Sequence, residues 1–432
     1  MGPASSLALL AAFAVTWGAA LAADCSVGVD TASMPSPQPV LLSSGNAQDF
    51  SSFLLPNGTG SLTVGQGLQV IVACPGSSFL LLDNAGDHVT AECLTDTRFS
   101  VNSVEYTLNA LACAEAITPT ARYTSTSCGA FGHFSIVEVG FAVGTEFYRL
   151  YDVCFSNKTL TTFYTHHTIP STIAGAQVTD LSSANWTDSG FYGDVDIGAA
   201  YSEQNLTIGD LLNTTVDDYF AEGRLERGAL APATDFMLEA HQVATFFGVN
   251  SAPRWTQLDE GNWATLEDSL RNVTATQNRD LEVYTGALGV LTLNNSDGVS
   301  TALYLSGASG SKKTLPVPRY FWKMAYDPQS RLCAVFITVN NPFANQQELE
   351  TRYRLCTDIC DKVNWLTWDQ SNQTAGLSYC CSYDDFRRVV PGVPELDVKG
   401  YAVISSGASA LAMSLTATLI ATVTLVSSFG GV

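Results

Sequence analysis

The sequence predicts an α+β protein in which a small, disulfide-rich all-β domain precedes a larger domain of mixed helices and strands. Before residue 165, short apolar and β-branched segments such as 68–73 and 136–143 alternate with Gly, Asn and Ser, which is typical of short strands joined by turns. Later in the chain, a helix-like segment at 263–273 and a strand-like segment at Leu332–Val339 indicate mixed secondary structure. The 432 residues allow two or three domains.

Individual elements are predicted from the same apolar patterns. Strands are expected in the first domain at Ser61–Val64, 68–73, 79–82 and 136–143, and in the second at 281–293, 320–326 and Leu332–Val339. Helices are expected at 207–220 and at 259–271, the second beginning near Asp259 and carrying Glu267 and Arg271 as a pair four residues apart.

The chain is divided by prediction into five parts. A signal peptide is predicted at 1–22, the disulfide-rich β domain at 23–165, a polar linker at 166–189, the α+β domain at 190–397, and a C-terminal attachment signal or anchor at 398–432. His166 and His167 lie in the predicted linker, so both are expected to be solvated.

The sequence contains eleven cysteines. Entry into the secretory pathway explains this number, because disulfides persist in that compartment. The first domain contains six cysteines, which implies three internal bridges without choosing among the possible connectivities. Those six are Cys25, Cys74, Cys93, Cys113, Cys128 and Cys154. In the second domain, Cys356 and Cys360 are expected to face Cys380 and Cys381, which leaves Cys333 as a buried free thiol within an apolar strand.

Both ends of the chain indicate export to the cell surface. An apolar run that ends in small residues and is followed by Asp24 predicts a cleaved secretory signal. After Lys399 no charged residue occurs, and small residues followed by a moderately apolar tail predict a glycosylphosphatidylinositol (GPI) anchor, with Ser406 as the attachment residue. A single transmembrane helix and a plain secreted tail are the alternatives.

Eight Asn-x-Ser/Thr sequons predict a glycoprotein. The acceptor residues are Asn57, Asn157, Asn185, Asn205, Asn213, Asn272, Asn294 and Asn372.

The composition excludes two classes of protein. With 46% hydrophobic and 14% charged residues, the chain is not largely disordered. The formal net charge is -21, from 20 Lys and Arg against 41 Asp and Glu. This charge excludes binding of a polyphosphate chain through a broad positively charged surface. Any contact with nucleic acid must therefore rest on a local patch.

One segment, residues 225–271, carries the chemistry. It reads LERGALAPATDFMLEAHQVATFFGVNSAPRWTQLDEGNWATLEDSLR. Its informative residues are Arg227-Gly228, Asn250, Pro253, Gly261-Asn262-Trp263, Leu266-Glu267 and Arg271. In type and spacing they resemble the DNA/RNA non-specific endonucleases with a ββα-metal core, particularly the extracellular double-stranded RNA and DNA nucleases of insects and crustaceans. Pro316–Lys323 and Val339–Pro342 resemble the family's following strands, and the cysteine-rich module resembles the one in the arthropod branch.

The resemblance implies a ββα-metal nuclease-like domain and a set of site residues. Arg227, Asn250, Glu267 and Arg271 match the family's catalytic positions. Ala229 stands where the family has the His that acts as general base, and a methyl group cannot accept a proton. Asp259 stands where the family has the Asn that ligates Mg²⁺, and a carboxylate is a suitable ligand for one Mg²⁺, Mn²⁺ or Ca²⁺ ion.

Three functions remain open on the sequence. The first is a surface-anchored homologue of the Mg²⁺-dependent endonucleases with lost or strongly reduced phosphodiester hydrolysis, which still binds metal or, weakly, double-stranded RNA or DNA. The second is an active metal-dependent endonuclease in which Asp259, His241 or a metal-bound hydroxide supplies the base. The third is an interaction protein with unknown protein partners that uses the nuclease fold as a scaffold.

Overall fold

A computed structural model describes residues 23–45, 47–216, 220, 223–307, 313–370 and 372–401, and the statements below concern these residues. The predicted signal peptide at 1–22 and the predicted attachment residue Ser406 lie outside them. No helix in the described part of the chain has the length and apolar character needed to cross a bilayer.

The first part of the chain forms an all-β module of short strands. They are β1 (Cys25–Gly28), β2 (Val40–Ser43), β3 (Ser61–Val64), β4 (Gln69–Ala73), β5 (His88–Thr95), β6 (Arg98–Val101) and β7 (Val104–Thr107). Strand β1 pairs with β3, and the other five form a sheet of order β2-β4-β5-β6-β7. The predicted strand at 79–82 is wrong, because only Phe79 makes an isolated bridge, to Cys113.

The rest of the described chain contains further strands and short helices. The strands are β8 (Thr120–Cys128), β9 (Phe134–Val143), β10 (Glu146–Ser156), β11 (Thr161–Ile169), β12 (Leu225–Ala229), β13 (Ser251–Trp255), β14 (Leu281–Leu288), β15 (Thr292–Asn294), β16 (Ser300–Ala302), β17 (Tyr304–Ser306), β18 (Thr314–Pro316), β19 (Tyr320–Asp327), β20 (Leu332–Val339) and β21 (Ser378–Ser382). The α-helices are α1 (Ile197–Ser202), α2 (Gln204–Leu212), α3 (Glu239–Val243), α4 (Thr256–Asp259), α5 (Asn262–Gln277), α6 (Gln346–Glu348) and α7 (Tyr383–Val389).

An eight-stranded antiparallel sheet of order β21-β20-β19-β14-β11-β10-β9-β8 organises this region. It crosses the predicted boundary at residue 165, since β11 pairs with β10 on one side and with β14 on the other. The division of the chain into a β domain at 23–165 and an α+β domain at 190–397 is therefore corrected: strands β8–β11 belong to the same sheet as β14 and β19–β21. Residues 166–169 of the predicted linker lie in a central strand of it.

The two faces of this sheet are covered by different helices. Helix α5 packs through Trp263, Leu266 and Leu270 against Phe321 of β19 and Phe336 of β20. On the other face, Trp322 and Phe386 of α7 share a second buried cluster. Side chains alternate along a strand, so Phe321, Lys323 and Ala325 of β19 share the face under α5. The sheet thus presents a lysine beneath the helix that carries Glu267.

Five disulfides use ten of the eleven cysteines. Three bridges join the six N-terminal cysteines, as Cys25–Cys93, Cys74–Cys113 and Cys128–Cys154. The first two lie in the all-β module, whereas the third joins β8 to β10 of the large sheet. Cys356–Cys381 and Cys360–Cys380 close the C-terminal region, and Cys333 is a buried free thiol as predicted.

His241 on α3 is buried among aromatic rings, and this makes the fold sensitive to acid. Its ring lies 4.7 Å from the ring of Phe53, and neither ring nitrogen has a hydrogen-bond partner within the described residues. Burial lowers the pKa of His241 to about 3. Because the unfolded chain then binds more protons than the folded chain, the stability contributed by His241 is present above pH 6.5 and is lost as pH falls toward 3.

We expect His241→Phe to remove this acid sensitivity. Between about pH 7.5 and about pH 5, the free energy of unfolding of the wild type should fall by about 2 kcal/mol more than that of the variant. Urea unfolding at both pH values measures the difference. His133→Phe, at an exposed imidazole, is the matched control and should follow the wild type. Equal pH slopes for wild type and His241→Phe would contradict the assignment.

Candidate functional site

The residues of the informative segment lie on the antiparallel strand pair β12–β13, called the β12–β13 pair below, and on helix α5. In the antiparallel pairing, Arg227 lies opposite Pro253 and Ala229 lies opposite Ser251. Asn340, at the end of β20, donates to the Pro253 carbonyl at 3.0 Å and accepts from the Trp255 amide at 3.2 Å. The β12–β13 pair is thereby held against the end of the large sheet, next to the start of α5.

Asn250 positions the chain just after Ala229. Its side chain is fully buried, accepts from the amide of Ala231 at 2.9 Å, and donates to the carbonyls of Ala231 and Thr245 at 2.8 and 2.9 Å. Both amide donors, and one of the two lone pairs of the side-chain oxygen, are then used within the protein. In this structure Asn250 is a positioning residue for the end of β12.

Arg227 borders an open pocket. It donates to Asp188 at 3.1 Å, and its guanidinium carbon lies 5.6 Å from the ring of Trp186 and 5.7 Å from that of Tyr201. The pocket has a volume of about 790 Å³. Its lining includes two cations and three aromatic rings, namely Arg224, Arg227, Trp186, Tyr201 and Phe220.

Asp259 does not lie on helix α5, contrary to the sequence prediction. The short helix α4 ends at Asp259, and α5 begins at Asn262. Gly261 separates them because the chain there passes so close to residue 375 that a Cβ on Gly261 would lie 2.3 Å from the Ala375 carbonyl oxygen. The predicted continuous helix from Asp259 to Arg271 is therefore wrong, while its part from Asn262 onward is confirmed.

The Asp259 carboxylate is paired with the guanidinium of Arg254 from β13. Arg254 is only 5% exposed, and it also donates to the Ala229 carbonyl at 3.3 Å. Its guanidinium carbon lies 5.3 Å from the ring of Phe321 and 5.6 Å from that of Trp263. A buried arginine thus links the position of the implied general base to the position of the implied metal ligand.

Glu267 pairs with a lysine of the sheet rather than with Arg271. Lys323 is fully buried, and its ammonium lies 3.4 Å from a Glu267 carboxylate oxygen and donates to the Thr285 hydroxyl at 2.9 Å. Burial raises the pKa of Glu267, and the charge of Lys323 opposes that rise. The ion pair predicted between Glu267 and Arg271 is therefore wrong, because each side chain has a different partner.

Arg271 belongs to a second buried network with Asp235 and His167. Arg271 donates to one oxygen of Asp235 at 2.8 Å, and the other oxygen lies 2.9 Å from Nε2 of His167. Burial lowers the pKa of His167, so the neutral ring donates its Nε2 proton to Asp235. Burial alone would raise the pKa of Asp235, but the hydrogen bond from His167 and the charge of Arg271 outweigh it and lower that pKa.

The prediction that His166 and His167 are solvated is wrong, because both lie on strand β11. His167 faces the network under α5. His166 faces the opposite side, stacks on Tyr284 at 4.2 Å, and contacts Glu282 at 2.9 Å. Burial lowers the pKa of His166, but its contacts with Asp152 and Glu282 outweigh that effect, and the pKa is raised.

All five imidazoles of the chain lie in described residues, and each has its contacts away from Ala229. His88 contacts Asp87, the exposed His133 lies beside Phe131, and His241 is enclosed by Phe53 and Phe141. His166 and His167 are held by the carboxylates described above. His167 is closest in role to a replacement base, yet its side chain is fully buried and bonded to Asp235.

The residues present do not fit a divalent metal ion at Asp259. Within the described chain, one group of three potential ligands has its atoms close together, Asp358, Cys360 and Cys380, and two of these are joined in a disulfide. Asp259 has no second carboxylate or imidazole in such a group, and its own carboxylate is paired with Arg254.

Residues 133–386, more than half of the chain, match the DNA/RNA non-specific endonuclease family. The chain belongs to this family. Its members are metal-dependent nucleases, and the matched range begins within the strands of the large sheet rather than at residue 190. The α+β class and the recognition of the family are confirmed.

Several salivary proteins are similar to this endonuclease-family chain. A salivary endonuclease of Lutzomyia longipalpis is 28% identical over 356 residues, which cover 81% of this chain and 79% of the relative. Salivary protein Tsal2A of Glossina morsitans morsitans is 25% identical over 345 residues, covering 78% and 84% of the two chains. A solved structure of the EndoG/EndoGI complex matches with 19% identity and a TM-score of 0.33, covering 45% of this chain and 74% of that one.

Four residues of the site were missed in the sequence. Arg254, Lys323, Asp235 and His167 make the ion pairs just described, and the sequence prediction assigned none of them to the site. A signal existed for two of them. Arg254 lies five residues before Asp259 in a segment that matches the family, and Lys323 interrupts an otherwise apolar strand.

Proposed function

We propose that this chain is an extracellular, nucleic-acid-binding member of the endonuclease family whose phosphodiester hydrolysis is lost or strongly reduced. The observation that carries the proposal is Ala229, at the end of β12, where the resemblance implies the general base. A methyl group accepts no proton, and the five imidazoles of the chain have their contacts elsewhere.

The expected loss of rate is large but finite. A positioned general base typically contributes a factor of about 10² to 10⁴ in rate. Arg227 still borders the pocket, and a cation next to a transferring phosphate stabilises developing negative charge. Residual cleavage is therefore compatible with the proposal, whereas turnover comparable to that of an intact relative is not.

The pocket beside Arg227 is the surface we propose for nucleic acid. Trp186, Tyr201 and Phe220 offer rings on which bases can stack, an interaction worth about 1–3 kcal/mol per base. Arg224 and Arg227 supply the local positive charge, although Glu226 and Asp188 partly compensate it. Ten acidic and four basic residues between Asp217 and Arg271 oppose a longer phosphate backbone, so binding should be weak and dominated by stacking.

The test compares cleavage and binding in the same preparation. With double-stranded RNA and DNA in Mg²⁺ or Mn²⁺, we expect turnover about 10² to 10⁴ below that of a relative that has the general base. Fluorescence anisotropy with a labelled duplex should still detect binding. Arg227→Gln should weaken that binding. The matched control is Arg387→Gln, because Arg387 is an exposed arginine of α7 that is paired with Glu395. Turnover within tenfold of the intact relative would refute the proposed loss of hydrolysis.

An extracellular location is proposed on three grounds. Two relatives are named salivary proteins. Five disulfides suit an oxidising compartment. The asparagines of all eight sequons are exposed, as glycan acceptors must be. We further propose, from the sequence alone, that the C-terminal tail directs GPI attachment at Ser406.

A further inference from the structure

The position of Arg254 indicates more than the loss of a base. Asp259 is the residue whose counterpart in the family holds the metal ion, and in this chain its carboxylate already has a cationic partner. An arginine is positively charged at every relevant pH, so its guanidinium remains a cation in this position. A divalent ion approaching Asp259 would meet that positive charge at contact distance.

The surroundings of Arg254 are shaped for a guanidinium. Gly228 leaves the space that the side chain occupies, because a Cβ on Gly228 would lie 2.7 Å from Nε and 2.8 Å from the guanidinium carbon of Arg254. The Ala229 carbonyl accepts one of its hydrogen bonds, and the rings of Trp263 and Phe321 flank the charge. Aromatic faces attract cations electrostatically, so these contacts stabilise the charge as well as the position.

A second cation, Lys323, also lies close to Trp263. The ammonium of Lys323 is 5.2 Å from the Trp263 ring and forms the ion pair with Glu267. Both carboxylates that the resemblance places at the catalytic centre, Asp259 and Glu267, are therefore neutralised by side chains of the protein itself. The charge that a metal ion would balance is already balanced.

We propose that Arg254 is the resident cation of this site and that the chain binds no divalent metal ion at Asp259. This inference concerns metal binding alone, so it stands or falls separately from the proposed loss of hydrolysis. It also assigns a role to Gly228, which is to leave room for the guanidinium.

The test measures metal binding directly, without any activity. Mn²⁺ is titrated into the folded protein, and the free ion is followed by electron paramagnetic resonance. For the wild type we expect no binding that depends on Asp259, so Asp259→Ala should leave the titration unchanged. In Arg254→Gln, which removes the charge and exposes the carboxylate, we expect one Mn²⁺ site at least roughly tenfold tighter than any wild-type site, since a unit charge at contact has been removed. The double variant Arg254→Gln/Asp259→Ala, which leaves no ligand oxygen at residue 259, should lose that site.

The outcomes separate the alternatives. One Mn²⁺ ion bound by the wild type and lost in Asp259→Ala would overturn the proposal, and so would a folded Arg254→Gln that gains no site. If Arg254→Gln fails to fold, Gly228→Ala provides the second variant, because its Cβ would lie 2.7 Å from both Cβ and Nε of Arg254 and so forces that side chain to move without changing any charge. A gain of Mn²⁺ binding by Gly228→Ala supports the proposal, and its absence in a folded protein contradicts it. Cleavage by a wild type that binds no Mn²⁺ would refute the proposed function while leaving this inference intact.

Discussion

Replacing Lys323 by Met is expected to lower the free energy of unfolding by about 3–5 kcal/mol, because it leaves Glu267 as a buried carboxylate without its cation. Lys323 is fully buried and Glu267 is 12% exposed, so solvent cannot replace the lost partner. Lys323→Met/Glu267→Gln removes both charges and should recover most of the loss. Lys362→Met, at an exposed lysine on the surface, is the matched control and should change stability by less than about 0.5 kcal/mol.

The same variant should acquire a distinctive pH dependence. Burial already raises the pKa of Glu267 above its usual 4.5, and removing the opposing charge of Lys323 raises it further. The folded variant then binds more protons than the unfolded chain, so this carboxyl favours folding below pH 4.5 and loses that contribution as pH rises through its folded pKa. The deficit relative to wild type should therefore shrink in acid. A deficit independent of pH, or a double variant no more stable than the single one, would show that the pair is not coupled.

Local sequence patterns predicted several elements correctly. Strand Leu332–Val339 and most of helix α5 follow from continuous apolar runs and from apolar spacing, which depend on neighbours in sequence. The buried thiol of Cys333 follows from the same run. These features are local, and local information suffices for them.

The domain division could not be predicted because it depends on pairing between distant strands. His167 pairs with Val283 across the β11–β14 ladder, and nothing in either segment specifies the other. The polar run around His166 and His167 resembled a loop for the same reason. His167 is buried, and the partner that its Nε2 contacts is Asp235, 68 residues away.

The site shows the same division between position and partner. The positions of Arg227, Ala229, Asp259 and Glu267 were predicted from the resemblance to the family, and the catalytic roles implied for them stay predictions. Their contacts were not predicted, because the cations of Arg254 and Lys323 come from strands rather than from the neighbouring helix. The role of an acidic residue in a sequence motif, as a ligand or as a partner in an ion pair, thus cannot be assigned until its nearest cation is known.

Restoring hydrolysis is expected to require two substitutions rather than one. Ala229→His supplies a proton acceptor, but the Arg254 guanidinium remains paired with the Asp259 carboxylate. We therefore expect this variant alone to cleave at about the wild-type rate. Arg254→Gln exposes Asp259 to Mg²⁺ but leaves no base. We expect the double variant to cleave double-stranded RNA or DNA faster than the wild type by a factor of at least about 10² to 10⁴, because general acid–base catalysis alone usually contributes that much.

The four proteins form a double-mutant cycle in which the two substitutions should be strongly non-additive, because base and metal act on one water molecule and one phosphate. Rates are measured with and without EDTA, and only the double variant should lose its activity to the chelator. Adding Asp259→Ala to the double variant removes the ligand oxygen; this control should return the rate to the wild-type level. If Ala229→His alone restores the full rate, Arg254 does not block the site in solution, and Ala229 accounts for the loss by itself. If the double variant stays silent although it binds Mn²⁺, then the change that separates this chain from an active enzyme lies beyond these two residues, and the ion pair between Lys323 and Glu267 is the next position to examine.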